Sequence, residues 1–74
     1  MKFYLLDVKS TVDVNGTDVA FDYINTYYDS EKAIKEAKQL LMNQDVLDVS
    51  VHEWIVKENG EQEHTGNVVY AYQK

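Results

Sequence analysis

The sequence predicts an α+β fold of order ββαββ, in which one helix packs on one face of a four-stranded antiparallel sheet. Two Asn-Gly dipeptides, at residues 15–16 and 59–60, lie on either side of a single helical pattern in a chain of 74 residues. Each dipeptide is flanked by alternating apolar residues, which is the strongest short-range sequence signal for a β-hairpin. The chain contains no proline and no linker-like stretch, so we expect a single domain over residues 1–74.

The first hairpin is predicted from residues 2–14 and 17–28, which are rich in β-branched and aromatic side chains. A two-residue loop at Asn15-Gly16 places Val14 opposite Thr17, and this pairing fixes the register of both strands. Because side chains alternate between the two faces of a strand, one face is predicted to be core. That face contains Tyr4, Leu6, Val8, Val12, Val14, Val19, Phe21 and Tyr23.

The helix is predicted to begin at Asp29-Ser30, an N-cap signal that is followed by Glu31 in the first turn. Apolar residues then recur at helical spacing and form one stripe, which consists of Ala33, Ile34, Ala37, Leu40 and Leu41. Asn43 is expected to close the helix in a left-handed conformation. An amphipathic helix of this kind is expected to lie on a sheet.

The second hairpin is predicted from residues 46–57 and 62–72, joined at Asn59-Gly60. The same register argument assigns Leu47, Val49, Val51, Ile55, Val68, Tyr70 and Tyr72 to one face. It assigns Asp48, Ser50, His52, Trp54, Val56, Val69 and Ala71 to the other face. Gly66 inside the fourth strand predicts a bulge that shifts the pairing beyond it.

The predicted strand order is 2-1-3-4, because the first and third strands are the most apolar on both faces and therefore belong at the centre. The helix then makes a right-handed crossover between the two hairpins. The order 1-2-4-3 remains as an alternative.

The charge balance argues against direct nucleic-acid binding. Thirteen carboxylates oppose seven lysines, which gives a net charge of −6, and arginine is absent. Recognition of phosphates and base edges relies on guanidinium groups and on clustered positive charge. The acidity serves solubility, or it presents a negative surface to a basic partner protein.

The chain has no cysteine, which removes disulfides and thiolate metal sites. A domain of this size is marginally stable, so self-association is expected to support it. The N-terminal apolar run is too short for a signal peptide and is interrupted by Asp7, and no segment approaches the roughly 20 apolar residues that span a bilayer. We therefore expect a cytoplasmic protein that does not bind membranes.

No residue pattern predicts catalysis, a metal site or a cofactor. His52 and His64 are predicted to lie on opposite faces of the sheet and not to converge. The segment from Asp13 to Asp18 has its glycine at the fourth position, whereas a calcium loop of the EF-hand type needs it at the sixth. Three glycines in the whole chain leave no phosphate-binding loop.

The most informative constellation is an apolar group on the sheet face that the single helix cannot cover. It comprises Phe3, Leu5, Ile24, Trp54, Val56 and Val69, with Tyr28 near its rim. A tryptophan within a contiguous exposed apolar group marks an interaction surface, and a homodimer is its commonest form. Coverage by loops and long side chains is the alternative explanation.

Carboxylates are predicted to surround this apolar group. They are Asp7, Asp13, Asp18 and Asp22 on the same face and Glu58, Glu61 and Glu63 around the second turn. An apolar centre with a carboxylate rim suits a basic protein partner, such as a nucleic-acid-handling enzyme whose groove it occupies.

Three functions follow. The leading hypothesis is a small acidic, non-enzymatic protein-binding module, since small size, acidity and the lack of a catalytic motif are typical of phage or mobile-element inhibitors. The alternative is a structural homo-oligomeric assembly protein that uses the uncovered sheet face. The third is a small enzyme or ligand binder that uses His52.

Overall fold

The computed structural model describes residues 1–74 and shows an α+β fold with four antiparallel strands and one helix. The elements are β1 (Lys2–Val14), β2 (Thr17–Tyr27), α1 (Ser30–Leu40), β3 (Val46–Val56) and β4 (Gln62–Gln73). The strands are arranged in the order β2-β1-β3-β4. The predicted order is therefore confirmed, and the alternative order 1-2-4-3 is wrong.

The first hairpin has the predicted register. Asn15 and Gly16 adopt φ angles of 52° and 83°, as a two-residue type I′ turn requires. Val14 pairs with Thr17, and the pairing continues without interruption to Tyr4 and Tyr27. The turn therefore determines which face every side chain of β1 and β2 occupies.

Helix α1 begins as predicted and ends differently. The Asp29 carboxylate accepts a hydrogen bond from the Glu31 N–H at 2.9 Å, which satisfies one of the free donors of the first turn. The helix ends in a right-handed conformation at Leu41, and Asn43 has no positive φ. Asn43 instead accepts a hydrogen bond from the Asp45 N–H through its side chain, so the prediction of a left-handed closure is wrong. This eleven-residue helix is too short and too polar to cross a membrane.

The core lies between α1 and the central strands. Ala33 and Ala37 are fully buried, and their small side chains let the helix approach the sheet closely. The other members of this core are Leu6, Val8, Val46, Val49 and Val51. Full burial of each leucine or valine side chain contributes about 1.5–3 kcal/mol relative to exposure.

Tyr27 lies at the margin of the same core, opposite Tyr4 in the first hairpin. Burial is the main factor that raises the pKa of its hydroxyl above the usual value of 10.0, and the charges of Glu36 and Tyr23 add to the effect. The folded state therefore favours the neutral phenol.

Part of the first hairpin extends beyond the core. The pairing of β1 with β3 ends at Ser10 and Val46, and Ser10 pairs with Phe21 of β2, so residues 11–20 form a two-stranded ribbon, which we call the arm. Four side chains predicted to be core lie on the helix side of this arm or, for Phe21, at its base, and are exposed: Val12 (48%), Val14 (48%), Val19 (44%) and Phe21 (43%). Their predicted burial is wrong for a physical reason. A strand of 13 residues is about 43 Å long, whereas a helix of 11 residues is about 16 Å long and cannot cover it.

The second hairpin departs from the predicted register by one residue. Gly60 has a φ of 86° but Asn59 is not left-handed, so the loop has three residues and closes where the Lys57 N–H donates to the Glu61 carbonyl at 2.8 Å. Val56 consequently pairs with Gln62 rather than with Glu63. A one-residue shift exchanges the faces of β4, and Glu63 moves to the helix side of the sheet.

Beyond this turn, β4 is bulged as the sequence predicts. Gly66 has a φ of 88°, and the register shifts between the Trp54–His64 and His52–Val68 pairs and again before Val51. The second shift inserts Val69 as an extra residue, so Val68 lies opposite His52.

Two face assignments change as a result. Val69 packs against the core, and its predicted place on the uncovered face is wrong. Val68, predicted on the core face, shares the other face with His52.

Candidate functional site: the open face of the sheet

The open face is the side of the sheet away from α1. Strand alternation and the observed pairings place three rows of side chains across it. The rows are Phe3, Trp54 and His64; then Thr26, Leu5, His52 and Val68; then Ile24, Asp7, Ser50 and Ala71. Of the predicted apolar group, this arrangement brings together Phe3, Leu5, Trp54 and Ile24, with Val56 in the next row opposite Gln62.

The aromatic residues of the open face pack on one another. Phe3 stacks on Trp54 with a centroid distance of 6.2 Å and an angle of 23° between the rings. His64 meets Trp54 edge-on at 5.3 Å and 84°. Phe3 is thereby only 6% exposed and Trp54 is half-buried, so the open face carries a small packed layer of its own.

Two shallow pockets flank Leu5 on this face. One has a volume of about 320 Å³ and is lined by Met1, Phe3, Leu5, Thr26, Tyr28, Val56 and Gln62. The other, of about 300 Å³, is lined by Leu5, Asp7, Ile24, His52, Trp54 and His64. Met1 is 74% exposed, Tyr28 71% and Ile24 59%, so these side chains that line the two pockets remain available for contact.

The two histidines converge, and the prediction that they lie on opposite faces is wrong. Nδ1 of His52 lies 3.0 Å from Nε2 of His64, and Nε2 of His52 lies 3.0 Å from Oγ of Ser50. The one-residue register shift at the second turn brings His64 to this face. Sequence reasoning had the means to find the pair, because a three-residue loop at the same Asn-Gly dipeptide produces it.

The Gly66 backbone determines the direction of this hydrogen-bond chain. The Gly66 N–H donates to Nδ1 of His64 at 2.8 Å, so Nδ1 is an acceptor and the proton of the neutral ring is on Nε2. That proton is donated to Nδ1 of His52, whose own proton is then on Nε2 and is donated to Ser50. In this arrangement His52 does not accept the serine proton, which is the reverse of what a base activating a serine nucleophile does.

The aspartates of the open face make no salt bridge. Asp13 and Asp18 face each other across the arm, and Lys9 lies between Asp22 and Asp48 in the register. The two salt bridges of the molecule lie elsewhere, between Lys2 and Glu53 at 3.9 Å and between Lys57 and Glu63 at 3.3 Å. Five carboxylates therefore share this face without an ion pair: Asp7, Asp13, Asp18, Asp22 and Asp48.

The predicted rim needs one addition and one correction. Asp48 belongs to it, and its place opposite Lys9 follows from the β1–β3 register, which the sequence alone does not supply. Glu63 does not belong to it, because it lies opposite Ile55 on the helix side and pairs with Lys57. Glu58 and Glu61 are exposed at the second turn.

No group of three or more histidine, aspartate or glutamate side chains converges in a way that would hold a metal ion. Comparison with protein-family models, with curated proteins and with solved structures gave no match. The chemistry of the open face has therefore to be interpreted from its own residues.

Proposed function

We propose that this chain is a non-enzymatic protein-binding module that docks a basic partner protein on its open face. One observation carries the proposal: five aspartates that make no salt bridge share one sheet face with two shallow, largely apolar pockets. Asp13 and Asp18 lie directly opposite each other and repel, and cationic side chains of a partner would remove that repulsion. The pockets would accept apolar side chains of the same partner.

The arm suggests the shape of the partner surface. Residues 11–20 form a narrow ribbon with Asp13 and Asp18 on its open face, and Asp22 lies at its base, opposite Lys9. A protruding acidic ribbon fits into a cationic groove, and proteins that handle nucleic acids have such grooves. The specific form of the proposal is a phage or mobile-element inhibitor that acts in the cytoplasm and occupies the groove in place of nucleic acid.

The test is a pull-down of host proteins on the immobilised chain across a salt series, with two variants of equal charge. Asp18→Asn/Asp22→Asn removes two carboxylates from the open face. The control, Glu31→Gln/Asp45→Asn, removes two exposed carboxylates from the helix and the following loop. We expect basic partners whose retention falls about three- to tenfold in the open-face variant and remains unchanged in the control.

Retention should also decrease as the salt concentration rises from about 0.05 to 0.5 M, because exposed charges are screened. The proposal would be contradicted if retention did not change with salt concentration, or if the open-face variant and the control variant changed retention equally.

A second candidate is an assembly subunit that associates with itself through the open face. The exposed side chains of Tyr28 and Ile24, each of which lines one of the two pockets, favour it. Light scattering after size exclusion distinguishes the two candidates. An assembly of this kind would be lost in Trp54→Ala and retained in Asp13→Asn/Asp22→Asn.

A further inference from the structure

Strand β2 is an open edge of the sheet with unused hydrogen-bonding groups. In a two-residue hairpin the residues that flank the turn bond to each other, so alternate residues of β2 direct their backbone groups toward β1. The intervening residues Asp18, Ala20, Asp22 and Ile24 direct their N–H and C=O groups away from the sheet. The backbone hydrogen bonds outside the helix and the sheet, and the side-chain hydrogen bonds, do not involve these groups either.

The two edges of the sheet differ in a way that singles out β2. Strand β4 contains Gly66 and two register shifts, and such bulges prevent another strand from pairing along an edge. Strand β2 pairs with β1 through eleven residues without a shift. It contains no proline or glycine and no lysine, and its only charged residues are Asp18 and Asp22.

From this regular edge we infer that β2 is an interface for a second copy of this chain. The two β2 strands pair antiparallel about a twofold axis at Phe21, which lies opposite Phe21 of the second copy. The axis is perpendicular to the sheet, so the two sheets join into one of eight strands and both helices lie on the same side. About eight backbone hydrogen bonds form, from the outward groups of residues 18, 20, 22 and 24 in each copy. This inference does not depend on the proposed basic partner.

Charge selects this register. With Phe21 on the axis, Asp22 lies opposite Ala20 of the second copy and Asp18 lies opposite Ile24. If the axis moves to Ala20, Asp18 lies opposite Asp22 of the second copy. If the axis moves to Asp22, the two copies of Asp22 lie opposite each other. Like charges directly opposite each other on paired strands are destabilising.

The helix side of the sheet selects the same register. Val19 and Phe21, both exposed in the single chain, would lie opposite Tyr23 and Phe21 of the second copy. Six apolar or aromatic side chains then form one stripe across the axis. A register with Tyr23 on the axis also separates the aspartates, but it places Phe21 opposite the polar Asn25.

The dimer is expected to be weak and to respond to salt in a distinctive way. Residues 17–25 supply about nine residues per copy, compared with the roughly 20–30 of a standard interface, so dissociation constants in the range of about 10 µM to 1 mM are expected. Each copy carries a net charge of −6, so screening this repulsion strengthens the dimer. The proposed basic partner shows the opposite response, and the two proposals can therefore fail separately.

Disulfide trapping tests the register, because the chain has no cysteine of its own. The interface positions 19, 21 and 23 are non-hydrogen-bonded pairs with Cα atoms about 4.5 Å apart, a separation that a disulfide can bridge. Under mild oxidation Phe21→Cys should cross-link with itself. Val19→Cys and Tyr23→Cys should each remain mostly monomeric alone and should cross-link when mixed. Equal cross-linking of all three single variants would overturn the register.

Sedimentation equilibrium on the unmodified chain tests the dimer itself. A monomer at every concentration up to about 1 mM, in high salt, would overturn the inference.

Ala20→Pro should abolish the dimer, since the Ala20 N–H points away from β1 and its loss leaves the hairpin intact. Ala20→Lys should tighten the dimer about threefold or more, because the lysine lies opposite Asp22 of the second copy. Weaker association of Ala20→Lys would contradict the register even if Ala20→Pro does not fold.

Discussion

Val8 and Val12 offer a direct test of how far the core extends along β1. They lie on the same strand and the same face, four positions apart, and the sequence pattern treats them alike. Val8 is fully buried, whereas Val12 is 48% exposed on the arm. We therefore expect Val8→Ala to be strongly destabilising and Val12→Ala to be nearly neutral.

The expected losses of stability follow from how deeply each of the two side chains is buried. Removal of two carbons from a fully buried valine loses about 1.6 kcal/mol of transfer free energy, and the remaining cavity increases the loss to about 2–3 kcal/mol. For Val12 half of the side chain is already in water, so the loss is about 0.5–0.8 kcal/mol. A domain of this length has a total stability of about 4–11 kcal/mol, so Val8→Ala removes a large part of it.

Urea unfolding monitored by the fluorescence of Trp54, the only tryptophan, measures both losses. With a slope of about 1 kcal/mol per molar urea, the midpoints of the two variants should differ by about 1.2–2.5 M. The measurement should be made at low micromolar protein concentration, so that the chain is monomeric and the arm stays exposed to solvent. Equal midpoints for the two variants would refute the conclusion that the core ends before Val12.

Three other predictions concern the second hairpin and the core margin. Gly66→Ala should lower the free energy of unfolding by about 1–2 kcal/mol in the same urea assay. The reason is the φ of 88° at this position, which is unfavourable for alanine even though no atom obstructs a Cβ there. Tyr27→Phe should reduce the loss of stability at alkaline pH. Since the folded pKa is raised above 10.0, the neutral phenol stabilises the fold below pH 10, and this contribution is lost as the pH rises through the folded value. Nitrogen-15 NMR at neutral pH should show unprotonated Nδ1 atoms in both His52 and His64, and a proton on either would contradict the direction derived from Gly66.

The first hairpin was predictable from the sequence and the second was not, although both contain Asn-Gly. At Asn15 the dipeptide forms a two-residue loop, and at Asn59 it forms the end of a three-residue loop. Both loops are compatible with the dipeptide, and they differ by one residue of register. That single residue decides whether His64 meets His52.

The bulge of β4 shows a different limit of sequence reasoning. Gly66 correctly predicts that the pairing shifts, because glycine adopts the positive φ of such a position without strain. The number of residues that the shift inserts depends on packing across the sheet, and the position of Val69 followed from that number. The exposure of the arm, by contrast, follows from comparing the lengths of β1 and α1 and was open to prediction.

The central position of β1 has a consequence for how the chain folds. Lys2 pairs with Ile55, near the other end of the sequence, and Tyr4 pairs with both Tyr27 and Glu53. Strand β1 therefore cannot be enclosed between its two neighbours until β3 has been synthesised. Folding through such non-local pairings is slow, on the order of milliseconds to seconds. During that interval the isolated first hairpin exposes the apolar side chains of Leu6 and Val8, and it is in this state that the chain is most vulnerable to aggregation.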